Sequence, residues 1–242
     1  MKKRIILTLI CGLLLAGPAG GEEFPAVVEA ETRAVLSAER EGVLSRLGVD
    51  VGDRVRKGDS LAEVFHRNLV LQKELKEANA EFWDLQVENL TRLNAKGLAT
   101  DEELARARME QAVNRKEIHI IETDIERSVI RAPFSGAVIL RHVQPHEWVK
   151  PGQPVVELYD PAGLRIVADV PTPLAVDMAE GQSHSLFFPA LNREITARVR
   201  VVAPQVDVRS NTVKVYWGVA GNGADAAGLI PGMKGVLRLE RQ

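Results

Sequence analysis

GVLSRLGVDVGDRVRKGDSLAEVF, residues 42–65, returns without a gap as GAVILRHVQPHEWVKPGQPVVELY, residues 136–159. Gly42 aligns with Gly136, Val49 with Val143, Val55 with Val149, Gly58 with Gly152 and Glu63 with Glu157, while Asp53 faces Glu147. A segment this short cannot bury a core alone, but two copies packed on each other can. The chain between them must therefore leave one small domain and return to it. In the first copy Val43, Leu44, Leu47, Val49 and Val51 form a half-buried run and Gly52-Asp53 a turn; Val55 points inward, and Lys57-Gly58-Asp59 turns again before Leu61 to Phe65. The second copy has Pro151-Gly152 at the matching turn, and glycine at both equivalents points to a positive φ there. Gly42, Gly58, Gly136 and Gly152 are read as structural turn residues, and residues 38–65 plus 131–160 as a flattened β-sandwich built from two intertwined halves.

Between the copies the hydrophobic period changes. Leu71, Leu75, Ala78, Phe82 and Leu85 alternate spacings of four and three, with Asn89 and Arg92 continuing the stripe in polar form. After a break, Leu104, Ala107, Gln111, Asn114, Ile118, Ile121 and Ile125 return with the same spacing. Residues 66–130 are thus expected to form an antiparallel coiled-coil hairpin, the two stripes facing each other. Its joint is Lys96-Gly97-Leu98-Ala99-Thr100, where Gly97 is placed to end the first helix left-handed and Thr100 with Glu103 makes a capping box for the second. With about thirty residues per helix, the arm would reach roughly 45 Å.

Residues 24–37 and 161–242 read as a further β-unit. Leu164 to Val170, Ile195 to Val202, Asn211 to Trp217 and Val236 to Leu239 are expected strands, separated by Pro171-Thr172-Pro173, Gly181-Gln182 and Pro231-Gly232-Met233. Short strands with turn residues at this frequency suggest a small β-barrel. The fold class is mainly β with an inserted α-helical hairpin.

The split repeat, the re-entry at Arg131-Ala132-Pro133-Phe134-Ser135-Gly136 and the hairpin between the halves resemble the periplasmic adaptor, or membrane fusion protein, family (HlyD-like, including the adaptor subunits of RND-type efflux pumps). The resemblance implies that the halves form a biotinyl-lipoyl-like domain and that the protein is non-catalytic, without a cofactor, and homo-oligomeric. It implies a subunit that bridges an inner-membrane transporter of RND or ABC type to an outer-membrane channel of the TolC type. In that family the hairpin tip carries an arginine, a leucine four positions later and a serine seven beyond that. Those places hold Asn89, Leu93 and Thr100, with Arg92 three positions after the missing arginine. Arg92, Leu93, Lys96, Gly97 and Thr100 are the candidate contacts to the channel; the same Leu93 and Thr100 could instead only close the hairpin. Many adaptors continue past the barrel into a membrane-proximal domain, which is expected to be absent here because the chain stops at Gln242.

The amino terminus reads as an export signal over residues 1–21. Lys2, Lys3 and Arg4 precede an apolar run from Ile5 to Leu15 and a small-residue zone at Ala16-Gly17-Pro18-Ala19-Gly20-Gly21. Cys11, the single cysteine, lies inside that run, so the exported protein would hold no thiol. A periplasmic location follows, peripheral to the inner membrane through the transporter. A net charge of -2 and few aromatic residues offer no footprint for nucleic acid.

Catalytic patterns are missing from the sequence: there is no G-x-S-x-G, H-E-x-x-H or P-loop. A lipoyl or biotin carrier would need one lysine on a tight turn between the halves, where this chain instead has residues 66–130. His142, His146 and Glu147 offer metal-ligating atoms, yet their counterparts in the first copy, Gly48, Gly52 and Asp53, are turn and strand-edge positions. Trp83, Trp148 and Trp217 are expected in cores or domain contacts. A second reading is an exported envelope binding module that docks by its hairpin and holds a small ligand or metal in its barrel.

Overall fold

The computed structural model describes residues 22–219 and 228–239; the expected export signal at 1–21, Cys11 included, lies outside them. The described residues divide into two compact units, 22–29 with those from 164 onward, and 30–163. No helix among the described residues is long and apolar enough to cross a membrane.

The first unit is a closed barrel. Its strands are β1 (Glu22–Ala30), β10 (Leu164–Pro171), β11 (Ser183–Phe188), β12 (Arg193–Asp207), β13 (Thr212–Val219) and β14 (Lys234–Leu239), in the order β1-β10-β13-β12-β11-β14. Ile195, Ala197 and Val199 of β12 point inward between exposed Glu194, Thr196 and Arg198, the period of two that a half-buried strand requires. Trp217 and Phe188 fill the interior with Ile166, Leu186 and Leu237. Strand β11 has no counterpart among the sequence expectations, because Ser183-His184-Ser185 hides the alternation at its start.

The second unit is a sandwich of two four-stranded sheets with the helical hairpin inserted. One sheet runs β2 (Arg33–Ser37), β9 (Pro154–Tyr159), β7 (Gly136–Arg141), β4 (Arg54–Val55). The other runs β6 (Val129–Arg131), β5 (Ser60–Val64), β3 (Gly42–Leu47), β8 (Trp148–Val149). Each half of the repeat lends its two-residue strand to the other sheet. Gly42 pairs with Val149 across β3 and β8, and the equivalent Gly136 pairs with Val55 across β7 and β4. Leu44 opposite Val64 is likewise matched by Val138 opposite Leu158. The exchange explains why neither half could fold alone: each sheet is incomplete without a strand from the other half. Leu44, Leu61, Val64, Val149, Val155 and Leu158 form the shared core.

Three expectations are corrected here. Residues 24–37 do not all enter the barrel: β1 ends at Ala30, and β2 pairs with β9 from Arg33 opposite Tyr159 to Ser37 opposite Pro154. Arg33 thereby bonds through Nε to Glu157, which is only 4% exposed, and that ion pair ties β2 to the sandwich. Gly58 and Gly152 are turn residues with φ of +91° and +82°, but Gly42 and Gly136 begin strands. At Gly136 a Cβ would lie 2.3 Å from the carbonyl oxygen of Tyr159, so close backbone approach rather than a turn demands glycine. Trp148 is not in a core; it is 59% exposed.

Candidate partner interface at the hairpin tip

The hairpin consists of α1 (Arg67–Asn94) and α2 (Asp101–Arg127), 28 and 27 residues long, hence about 40 Å each. Helix α2 turns its expected stripe inward: Leu104, Ala107 and Asn114 are buried, and Gln111, Ile118, Ile121 and Ile125 half-buried. Helix α1 does not. Its seam is Leu69, Lys73, Lys76, Ala80, Trp83, Val87, Leu90 and Asn94, whereas the expected Leu71, Leu75, Ala78, Phe82 and Leu85 are exposed. The polar partners on α2 select this phase. Lys73 Nζ meets Glu122 Oε1 at 2.9 Å, Lys76 meets Glu117, and Asp84 accepts from Gln111 Nε2 at 2.7 Å and from Arg115 Nη2 at 3.0 Å.

At the tip, α1 ends in a Schellman turn. The Leu98 N–H donates to the Leu93 carbonyl and the Gly97 N–H to the Asn94 carbonyl, both at 2.9 Å, with Gly97 at φ +70°. The Asn94 amide then spans the connection, donating to the Ala99 carbonyl at 3.1 Å and to Asp101 Oδ1 at 2.9 Å. Thr100 is extended and opens α2 with a reciprocal capping box: Glu103 N–H donates to Thr100 Oγ1 at 3.2 Å, and Thr100 N–H donates to Glu103 Oε2 at 2.8 Å. That backbone N–H, followed by the Thr100 hydroxyl, holds the Glu103 carboxyl below its ordinary pKa. Asp101, Glu102 and Glu103 also lie where the helix dipole favours negative charge.

All five candidate contact residues are exposed at this tip, but they are not equivalent. Gly97 and the Thr100 hydroxyl are consumed in closing the turn. The Arg92 guanidinium is held by Asn89, the residue standing where the resembling family has its arginine. Leu93, 40% exposed, and Lys96 remain available to a partner. The sequence reading missed Leu98, which is 71% exposed and follows the turn glycine directly. The signal was present, an apolar residue in an otherwise small and polar connection.

The histidines of the second repeat do not converge. His142 Nε2 lies 3.9 Å from Glu157 Oε2, while His146 sits at φ +70° with its N–H on the Leu44 carbonyl. Among the described residues no three His, Cys, Asp or Glu side chains gather as a metal site would require.

Residues 32–160, the sandwich with its inserted hairpin, match the family described as CzcB-like, barrel-sandwich hybrid domain. The chain belongs to this family of membrane fusion proteins. The adaptor's fold agrees with solved structures of low identity. A MacA-MexA chimera carrying the Pseudomonas aeruginosa MexA α-hairpin domain superposes with a TM-score of 0.79 at 19% identity, over 92% of this chain and 81% of that one. The membrane fusion protein Spr0693 of Streptococcus pneumoniae R6 gives 0.73 at 15%, covering 91% and 99%. MacA of Actinobacillus actinomycetemcomitans gives 0.63 at 17%, covering 91% and 78%. A search of curated proteins finds no match.

Proposed function

We propose that this adaptor is a non-catalytic subunit of a tripartite efflux or secretion pump. It bridges an inner-membrane transporter of RND or ABC type to a TolC-type outer-membrane channel from the periplasm, and it self-associates to do so. The observation that carries the reading is the hairpin tip: a turn closed by its own hydrogen bonds holds Leu98, Leu93 and Lys96 out to solvent, and Leu98 belongs to neither core cluster among the described residues. An exposed apolar residue on a rigid support is what a docking contact needs, because little conformational entropy remains to be lost on binding. The rival reading, a ligand held in the barrel, is disfavoured by the filling of that interior with fully buried Trp217 and Phe188.

The test is capture from envelope membranes by the tagged full chain, wild type against Leu98→Asp. Wild type should retain an integral inner-membrane transporter and an outer-membrane channel. The variant should lose the channel alone, at unchanged thermal stability. Retention of the channel by Leu98→Asp, or capture of neither partner by wild type, would remove the bridging role.

A further inference from the structure

The two halves of the sandwich treat one acidic position differently. Glu157 stands opposite Val35 of β2, and its repeat equivalent Glu63 stands opposite Val129 of β6, the equivalent of Val35. Glu157 is enclosed, its side chain 5% exposed and bonded to the Arg33 guanidinium. The equivalent of Arg33 is Arg127, but α2 runs through Arg127 whereas β2 already begins at Arg33. The helix carries that guanidinium away, to 3.6 Å from Glu39 Oε2. Glu63 is left with a side chain 34% exposed. Among the described residues its one ion-pair partner within 4.0 Å is His66, at 3.6 Å, whose Nδ1 donates to the Val64 carbonyl at 3.0 Å. Arg46, opposite Glu63 in the ladder, lies beside Gly48 instead.

The inserted hairpin that removes the arginine also supplies a wall. The first turns of α1 stand beside the sheet and enclose with it a cleft of about 410 Å³. Phe65, Val70 and Leu71 give it an apolar lining, Phe65 being 55% exposed and Leu71 51%. Glu63 and Glu74 give it two carboxylates, and Glu74 makes no ion pair or hydrogen bond among the described residues. The Ser45 hydroxyl, also in the lining, donates to the Glu63 carbonyl at 2.9 Å. Arg67 is the one permanent cation of the lining, and it pairs with neither carboxylate.

We propose that this cleft binds an amphipathic organic cation, a small molecule whose positive group takes beside Glu63 the place that Arg33 takes beside Glu157. Its apolar body lies on Phe65, Val70 and Leu71. The sign of the charge follows from the lining: two carboxylates face one guanidinium, and the repeat shows that a cation at the Glu63 position fits this sheet. A ring face that is more than half exposed favours the same ligand, because its quadrupole attracts cations. Size argues for a small molecule, since a concave apolar cleft of this volume with a few polar groups matches the dimensions of small-ligand sites. In the other half of the sandwich Arg33 already occupies the position, so the corresponding acid has nothing to recruit. The site lies wholly within residues 30–163 and does not depend on the pump reading above.

The test is titration of ethidium, a planar aromatic cation, with the full chain, read by fluorescence polarisation. Binding should saturate at one molecule per chain. Glu63→Gln should weaken it at least about tenfold, as expected for loss of a charge-assisted contact, and Phe65→Ala should weaken it severalfold. Both residues are partly exposed, so circular dichroism and melting temperature should match wild type. Glu88→Gln, farther along α1, should leave the affinity unchanged. The anion 1-anilinonaphthalene-8-sulfonate, of similar size, should bind at least about tenfold more weakly than ethidium. No saturable ethidium binding, equal affinity in Glu63→Gln, or equal affinity for the anion would each overturn the proposal; loss in Phe65→Ala alone would mean adventitious apolar binding and overturn it too. Envelope capture is read separately: failure to retain either membrane partner removes the adaptor reading and leaves this site standing.

Discussion

Two neighbouring atoms decide much at the residue scale. Replacing Gly136 by alanine drives a Cβ into the Tyr159 carbonyl, a backbone atom that cannot swing aside. The cost should be about 1–3 kcal/mol or more, as for overpacked cores. Gly58→Ala meets nothing within 4 Å and is penalised only through its positive φ, about 1–2 kcal/mol. Urea titrations should therefore rank Gly136→Ala the less stable; the reverse order would mean that the strand start relaxes. A second residue-scale device lies in the barrel, where the buried Trp217 Nε1–H donates to His184 Nδ1 at 3.1 Å. The acceptor nitrogen must be unprotonated, and burial lowers the His184 pKa from 6.5. A histidine with a depressed folded pKa contributes its stability fully above the unfolded value and loses it as pH falls below that value. Thermal stability should thus drop between pH 7 and 5, and the drop should shrink in His184→Gln, whose side-chain oxygen accepts at any pH. An identical pH slope in the variant would show that this bond does not govern the response.

At the scale of elements, sequence reading succeeded where one pattern was available and failed where two competed. The capping box and the Gly97 turn were legible because a local hydrogen-bond scheme dictates their residue types. On α2 only one stripe could form a seam. On α1 the more apolar stripe looked like the seam, yet the structure chose the one containing Lys73 and Lys76, because their partners lie on the other helix and no single-helix pattern reveals them. A paired substitution tests this phase. Ala80→Glu puts an unpaired charge into the buried seam and should cost about 3 kcal/mol. Phe82→Glu, two residues on, should stay within about 0.5 kcal/mol. A large loss at Phe82 and none at Ala80 in thermal melts would restore the discarded phase.

On the scale of the whole molecule, the repeat was the most legible feature, since 42–65 and 136–159 match at the turn, core and acidic positions that the intertwined sandwich uses. The boundary at β2 was not legible. Its alternation runs on from β1, and what assigns it to the sandwich is its register against the distant β9 together with the Arg33–Glu157 ion pair. The tip was legible as a place, but the division of labour within it was not, because which groups close the turn and which remain free depends on hydrogen bonds across the connection.

The central claim is the proposal that this tip meets an outer-membrane channel. The most direct measurement is photo-crosslinking in intact cells from an ultraviolet-activated residue installed at position 98. The account predicts that position 98 crosslinks to an integral outer-membrane channel identified by mass spectrometry. Crosslinks from position 98 confined to the chain itself or to inner-membrane proteins would contradict it.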